Sequence, residues 1–458
     1  MNLLSQILAV IIFVVMFVEI VREKRPRYIV TLCAGALTLI VVFLGLMHSW
    51  AAVEEALSFG SMATTTFWYT GHAAVNEMNT GINWSTIIFI SGMMIMVEGM
   101  SGAGFFDWLC LRLARLVNYR PVPLLVCFMI LSAVLSMFID SITVVLFLAT
   151  VTLELAQTMK FNPIPMILSE VFCANLGGAA TMCGDPPNII VGTSLGYTFF
   201  DFISNTGVAV AICFVLVLIY FVLCFRKRLL RDEKNSGAAV CPQPGTAITN
   251  RPAFLLSAGV FLLAVILLAT HAQTKLTVAC IGVIVAALSL VVIGCTSGGK
   301  AVLEIIKGVD YKTLLFFIGL FVSVAGLKET GVLDVIARFI TTVSGGNAAI
   351  IVVIILWISA VTSAFVDNIP FAATMIPVVR SIAAASGIDM GVLAWALSLG
   401  TDLGGNATPI GASANVVGTS VAAKGGYPIS WGVYCKYCVG ATVLVIAVSM
   451  GYLFLRYL

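Results

Sequence analysis

Charge is scarce in this sequence. Asp, Glu, Lys and Arg make up 10% of its 458 residues, against about 25% in ordinary soluble domains. So little charge cannot coat a soluble fold of this size. The net charge of +3 is too small to recruit nucleic acid. Histidine is rarer still: His48, His72 and His271 have no metal-ligand spacing. His-Glu-x-x-His does not occur and no metal cluster is apparent, so the expectation is a protein that is not an enzyme. Polar linkers are also lacking, Arg226 to Arg251 being the one clearly hydrophilic stretch. The twelve cysteines are scattered, mostly within apolar runs, where they act as small core residues; no disulfide framework is expected. Cys435 and Cys438 have redox spacing but no second pair. The first apolar run, Leu3 to Ile20, has its basic cluster after it, the wrong order for a signal peptide, and reads as a first membrane helix.

What is present is apolar. Hydrophobic residues make up 60% of the chain and its mean hydropathy is +1.10. Spans are expected at about 3–20, 28–47, 85–101, 122–158, 163–198, 203–225, 253–270, 275–293, 313–329, 346–385, 391–421 and 432–454. The runs 122–158, 163–198, 346–385 and 391–421 are too long for one simple crossing and must be broken.

The chain repeats at an offset of 227. Gly92, Gly99, Gly104 and Asp107 match Gly319, Gly326, Gly331 and Asp334. The segment Ser132 to Ile142 matches Ser359 to Ile369, Leu176 to Thr181 matches Leu403 to Thr408, and Asn188 matches Asn415. If 122–158 and 346–385 re-enter on the side they left, 19 of the 24 basic residues fall on one face, taken as cytoplasmic. The expected fold is therefore an all-α polytopic membrane protein of two inverted-topology repeats. Each would hold five crossings plus a re-entrant hairpin, with broken transmembrane helices. The first repeat is 1–225, the cytoplasmic linker 226–251 and the second repeat 252–458; His72 and His271 would lie outside. Inverted repeats with broken helices point to a secondary transporter with its site at the repeat interface.

Site candidates cluster at the breaks. Asp140, Ser141 and Thr143 mark one hairpin tip; Asp367 and Asn368, followed by Pro370, mark the other. Each Asp suits a helix N-cap, yet a carboxylate at membrane depth is costly enough to suggest function. The broken crossings contribute Asn175, Gly177, Gly178, Thr181, Asp185 and Asn188 from the first half. The second half contributes Asp402, Gly404, Gly405, Asn406, Thr408 and Asn415. Asp185 before Pro186 also suits a cap. Glu170, opposite Leu397 in the repeat, is a weaker candidate for holding a proton or cation. No Lys or Arg lies in the central parts of these segments, so the carboxylates are expected to be protonated or to hold a cation. Na+ could sit at Asp140, Asp367, Asn175 and Asp402; an anionic substrate would depend on half-helix N-termini and the bound cation. The amphipathic stretches Gly104 to Val117 and Gly331 to Val343 read as interfacial helices or as arms joining a moving unit to a scaffold.

The motifs resemble the ion transporter superfamily, in the branch of P-protein-type permeases, arsenite permeases and NhaD-type antiporters with a citrate-transporter-like domain. The carrying residues are Asn175 to Thr181 with Gly184 to Asn188, Asp367 to Phe371 with Thr374 to Pro377, and Gly104 to Asp107. The first tip reads Asp140-Ser141 where the family pattern has Asp-Asn. The resemblance implies a homodimer with elevator-like alternating access, coupled to Na+ or H+ and needing no other cofactor. The family spans anions, neutral arsenite and cations; the leading substrate class here is a small anion or oxyanion, arsenite or a carboxylate, with a Na+/H+ antiporter as the alternative and a membrane-embedded enzyme as a distant one. The setting would be the lipid bilayer of a bacterial or archaeal inner membrane.

Overall fold

The computed structural model describes residues 3–22, 24–69, 81–235 and 243–458; His72 lies outside them. Among the described residues, ten helices are long and apolar enough to cross a membrane, and three shorter apolar helices accompany them. The chain is a multi-pass integral membrane protein built from helices.

The first half begins with α1 (Leu3–Arg22) and α2 (Arg27–Leu37), which continues as a π-helix through Thr38–Leu46. There follow α3 (Trp84–Gly102), α4 (Phe105–Leu116), α5 (Pro121–Ser136), α6 (Ser141–Met159), α7 (Ile164–Gly178), α8 (Pro186–Leu195) and α9 (Val208–Asn235). The second half runs α10 (Arg251–Ala269), α11 (Val278–Ser297), α12 (Tyr311–Glu329), α13 (Val332–Val343), α14 (Ala348–Ser363) and α15 (Asn368–Ser386). It ends with α16 (Met390–Gly404), α17 (Ser413–Lys424) and α18 (Trp431–Tyr457). The sequence offset of 227 carries into the helix boundaries: shifted by that amount, α3, α4, α5 and α6 fall on α12, α13, α14 and α15 at both ends.

All four long apolar runs are interrupted, each for a local reason. Between α5 and α6 the chain turns at Asp140, whose carboxylate accepts the Thr143 N–H at 2.9 Å and caps α6. Asp367 does the same for α15, accepting the Ile369 N–H at 3.3 Å. Between α7 and α8 the helix ends after Gly177-Gly178 and restarts at Pro186-Pro187, where missing N–H groups cost nothing in a first turn. Between α16 and α17 the break runs through Gly404-Gly405 to Ala412. At these breaks Asn188 and Asn415 do matching work. Asn188 Nδ2 donates to the carbonyls of Gly178 and Thr181, both at 3.1 Å; Asn415 Nδ2 donates to those of Gly405 and Thr408, both at 2.8 Å. Unwound backbone at membrane depth is thereby satisfied from within the protein.

The halves interlock. α3 packs on α11 and α12 on α2, while α8 packs on α15 and α17 on α6, so each half supplies the other's neighbours. These crossings are close. A Cβ on Gly92 would lie 2.2 Å from the Gly282 carbonyl oxygen, and one on Gly319 would lie 2.3 Å from the Thr31 carbonyl carbon. Small residues let backbones approach where lipid gives helices no hydrophobic reason to associate. At the centre stand α7 and α16, buried at every position from Pro165 to Gly178 and from Gly391 to Gly404. Outer helices show large apolar side chains instead, such as Leu255, Leu262, Val291 and Val361. All cysteines among the described residues are free thiols.

Candidate functional site

The four restarting helices bring their N-termini together. Asp185, at the start of α8, accepts a hydrogen bond from Ser141 Oγ at 2.9 Å and another from Asn368 Nδ2 at 2.7 Å. Ser141 opens α6 and Asn368 opens α15, so one carboxylate joins both turns. Asp185 occupies the N-cap position of α8 but its side chain makes no cap bond, which separates it from the capping reading its sequence allows. Asp367 Oδ2 accepts from Ser413 Oγ, the first residue of α17, at 2.6 Å. The centre is dry: Asp185 and Asp367 are 4% and 5% exposed, and Asn175, Asn188, Asp402 and Asn415 at most 1%. Helix N-termini carry partial positive charge and unpaired N–H groups, so four converging on one place form a setting for anions.

The expectation that no basic side chain meets the interior carboxylates is wrong at Asp367. Arg27, the first residue of α2, places Nη1 2.9 Å from Asp367 Oδ2 and 3.4 Å from Ser413 Oγ. The reason is tertiary: α2 packs on α12 in the other half, which brings its first turn beside the Asp367 turn. Arg27 and Ser413 are the residues that sequence reading missed. The one available signal was an arginine opening an apolar run, and it was hidden within the basic cluster Arg22 to Arg27.

The other candidates fall into three groups. Asp140 is bound within its own turn, with both oxygens on Thr143, the second through the hydroxyl at 2.7 Å. Gly177 and Gly404 are packing positions: a Cβ would come within 2.1 Å of the Ala133 carbonyl oxygen on α5, or 2.3 Å of Ala360 Cα on α14. Gly178 and Gly405 lie against Asp185 and Gly411. Thr181 and Thr408 tie the breaks back to the turns by donating to the carbonyls of Met137 and Ala364, partners again separated by the repeat offset. The third group is a buried polar seam. Asn175 Nδ2 donates to Asn406 Oδ1 at 2.9 Å and to Asn415 Oδ1 at 2.8 Å, linking α7 to the break after α16. Asp402, the repeat partner of Asn175, is 0% exposed; the Asn188 side chain lies beside it, but neither of its oxygens has a hydrogen bond of good geometry among the described residues. Asn175 Oδ1 and Asn406 Nδ2 also have no partner among the described residues. Ser398, one turn before Asp402, donates to Asn188 Oδ1. Glu170 lies apart on α7, with Oε1 on the Thr152 hydroxyl at 2.6 Å and Oε2 unpartnered. No group of three or more His, Cys, Asp and Glu side chains is arranged to hold a metal ion among the described residues.

A family model described as "Citrate transporter" matches residues 17–400. The chain belongs to the citrate transporter family. An uncharacterised transporter of Mycobacterium tuberculosis is 34% identical over 390 residues, covering 85% of this chain and 90% of that protein. The 46 kDa membrane protein of Mycobacterium leprae is 34% identical over 383 residues, with 83% and 88% covered. The P protein of Homo sapiens is 28% identical over 453 residues, covering 82% of this chain and 53% of its own length. In fold, the chain is similar to the YdaH transporter of Alcanivorax borkumensis, with TM-score 0.59 at 14% identity and 98% of both chains covered. It is also similar to MtrF of Neisseria gonorrhoeae, with TM-score 0.57 at 11% identity and 99% and 95% covered. This citrate transporter family member is a permease, a secondary transporter of a small solute rather than an enzyme.

Proposed function

We infer that this chain is a cation-coupled carrier of a small anion, a carboxylate or an oxyanion such as arsenite. The observation that carries the reading is the meeting of four helix N-termini at Asp185 and Asp367, with Arg27 among them. N-termini and a guanidinium attract an anion, and the carboxylates there keep the site from being permanently filled by one. The coupling cation, Na+ or H+, is assigned to the seam of Asp402, Asn175 and Asn406. A carboxylate without a partner in low dielectric is costly unless it is protonated or holds a cation. The recurrence of every break at one offset supports two inverted-topology halves and elevator-like alternating access in a homodimer. The linker 226–251 is assigned to the cytoplasm, and the membrane to the inner membrane of a bacterium or archaeon.

The test is uptake into proteoliposomes of a panel of mono-, di- and tricarboxylates and arsenite, under an imposed H+ gradient, a Na+ gradient or neither. Gradient-driven accumulation of one anion supports the reading, and Asp185→Asn should lower it at least tenfold. Its amide would turn an N–H toward Ser141 or Asn368, breaking one arm of the bridge. A second reading is a Na+/H+ antiporter with no organic substrate, favoured by the Asp402 carboxylate and the Glu170 Oε2 oxygen, which have no hydrogen bond of good geometry among the described residues. Na+-driven alkalinisation of the lumen without any anion would select it.

A further inference from the structure

A cavity of about 180 Å3 lies between the ends of α3, α8, α12, α13 and α15. It has room for several waters or a small organic anion. Lys328 and Arg380 line it, with Asn83, Ser194 and Ser381, and so does Asp334. The lining charges therefore sum to +1: two basic groups against one carboxylate. That carboxylate is engaged, accepting from Ser381 Oγ at 2.8 Å. Glu329 and Glu55 are charged neighbours of Lys328 but do not line the space. Arg380 donates one N–H to the Ser194 carbonyl at the end of α8; a guanidinium has five to give. The Lys328 ammonium makes no ion pair or hydrogen bond among the described residues. Neither basic residue takes part in the contacts at Asp185 and Asp367.

The position matters as much as the charge. Two of the walls, α8 and α15, are the helices whose N-termini meet at Asp185. At a rise of about 1.5 Å per residue, Ala373 on the cavity wall lies about 7.5 Å along α15 from Asn368, and Arg380 about 18 Å. Cavity and site are thus two stations along one helix pair.

The geometry points to this cavity as an anion-capture station, where Lys328 and Arg380 hold a small carboxylate or oxyanion before it moves along the α8–α15 seam to Asp185. The capture role rests on the anion-carrier reading above; the cavity's preference for anions does not. Lys328→Gln and Arg380→Gln are each expected to raise the KM for uptake about tenfold, with kcat within twofold of the parent. Lys328→Arg should keep the parent KM. Asp334→Asn, which removes the opposing charge, should lower KM. An unchanged KM in Lys328→Gln, or a raised one in Asp334→Asn, overturns the proposal. Arg380→Gln is read only beside Lys328→Gln, because Arg380 also ties down α8 while the Lys328 ammonium has no such bond to lose. A second measurement needs no transport. Ser381→Cys is treated with anionic and cationic methanethiosulfonates of equal size, and the parent protein supplies the background from native thiols. Several-fold faster modification by the anionic reagent, abolished in Ser381→Cys/Lys328→Gln, supports an anion-attracting cavity. Faster modification by the cationic reagent overturns it. If the thiol result holds while no anion is accumulated under any gradient, the carrier reading fails and the anion preference of the cavity stands.

Discussion

Arg27 Nη1 sits 2.9 Å from Asp367 Oδ2, joining the first turn of α2 to a helix break 340 positions later in the chain. The Asp367 side chain is 4% exposed and that of Arg27 29%, so the pair is half sheltered from solvent. Removing one partner of a sheltered pair leaves the other uncompensated, which costs more than removing both. Arg27→Gln is expected to destabilise the protein by about 1–3 kcal/mol, with the lower end set by Arg27's remaining contact with solvent. Arg27→Gln/Asp367→Asn should recover most of that loss. Thermal unfolding in detergent of the parent, Arg27→Gln, Asp367→Asn and the double variant gives the coupling energy, and additive effects would remove the pair from the account of stability.

Asp402 behaves oppositely. At 0% exposure neither of its oxygens has a hydrogen bond of good geometry among the described residues, so its charge is a burden to the folded state. Asp402→Asn keeps the shape and removes the burden, and the equivalent position in the first half already carries Asn175. The melting temperature should hold or rise. Gradient-driven accumulation should fall at least a hundredfold, while one-for-one exchange of substrate across the membrane continues. Loss of exchange together with accumulation would place Asp402 in substrate binding or in folding instead of coupling.

Gly177 and Gly404 test whether the close packing of α7 on α5 and α16 on α14 is essential. An added methyl would meet Ala133 at 2.1 Å and Ala360 at 2.3 Å. Gly177→Ala and Gly404→Ala should each cost about 1–3 kcal/mol or more, because backbone must move to make room. Gly259→Ala is the control: it lies inside α10 with nothing within 4 Å, so alanine should stabilise by up to about 1 kcal/mol. Unfolding in detergent should rank the three variants on opposite sides of the parent.

Topology has a direct probe in the native Cys241, which lies within the linker 226–251. With that thiol retained and other accessible thiols replaced, an impermeant maleimide should label inside-out vesicles and leave right-side-out vesicles unlabelled. Labelling from outside would reverse the assignment of basic residues to the cytoplasm.

Much of the architecture is written locally. Helix stops and starts come from residues within a turn or so of the break: the caps Asp140 and Asp367, Gly177-Gly178, Pro186-Pro187 and Gly404-Gly405. Such signals act over i to i+4, so a sequence read along its length shows them, and the offset of 227 shows them twice. The membrane setting follows from composition, because water cannot solvate a surface so poor in charge.

Partner choice belongs to the tertiary structure. Local pattern presented Asp140, Asp185 and Asp367 alike, as carboxylates suited to caps. Folding made them different. Asp140 stays in its own turn, Asp185 spans to Ser141 and Asn368, and Asp367 takes Arg27 and Ser413. The cavity of Lys328 and Arg380 likewise exists only where α8, α12 and α15 meet. Helix propensity and capping are decided by backbone geometry over a few residues. Ion pairs and cavities are decided by which helices interlock, and here that is set by glycine-lined crossings between the halves, Gly92 against Gly282 and Gly319 against Thr31, 190 and 288 positions apart in the chain.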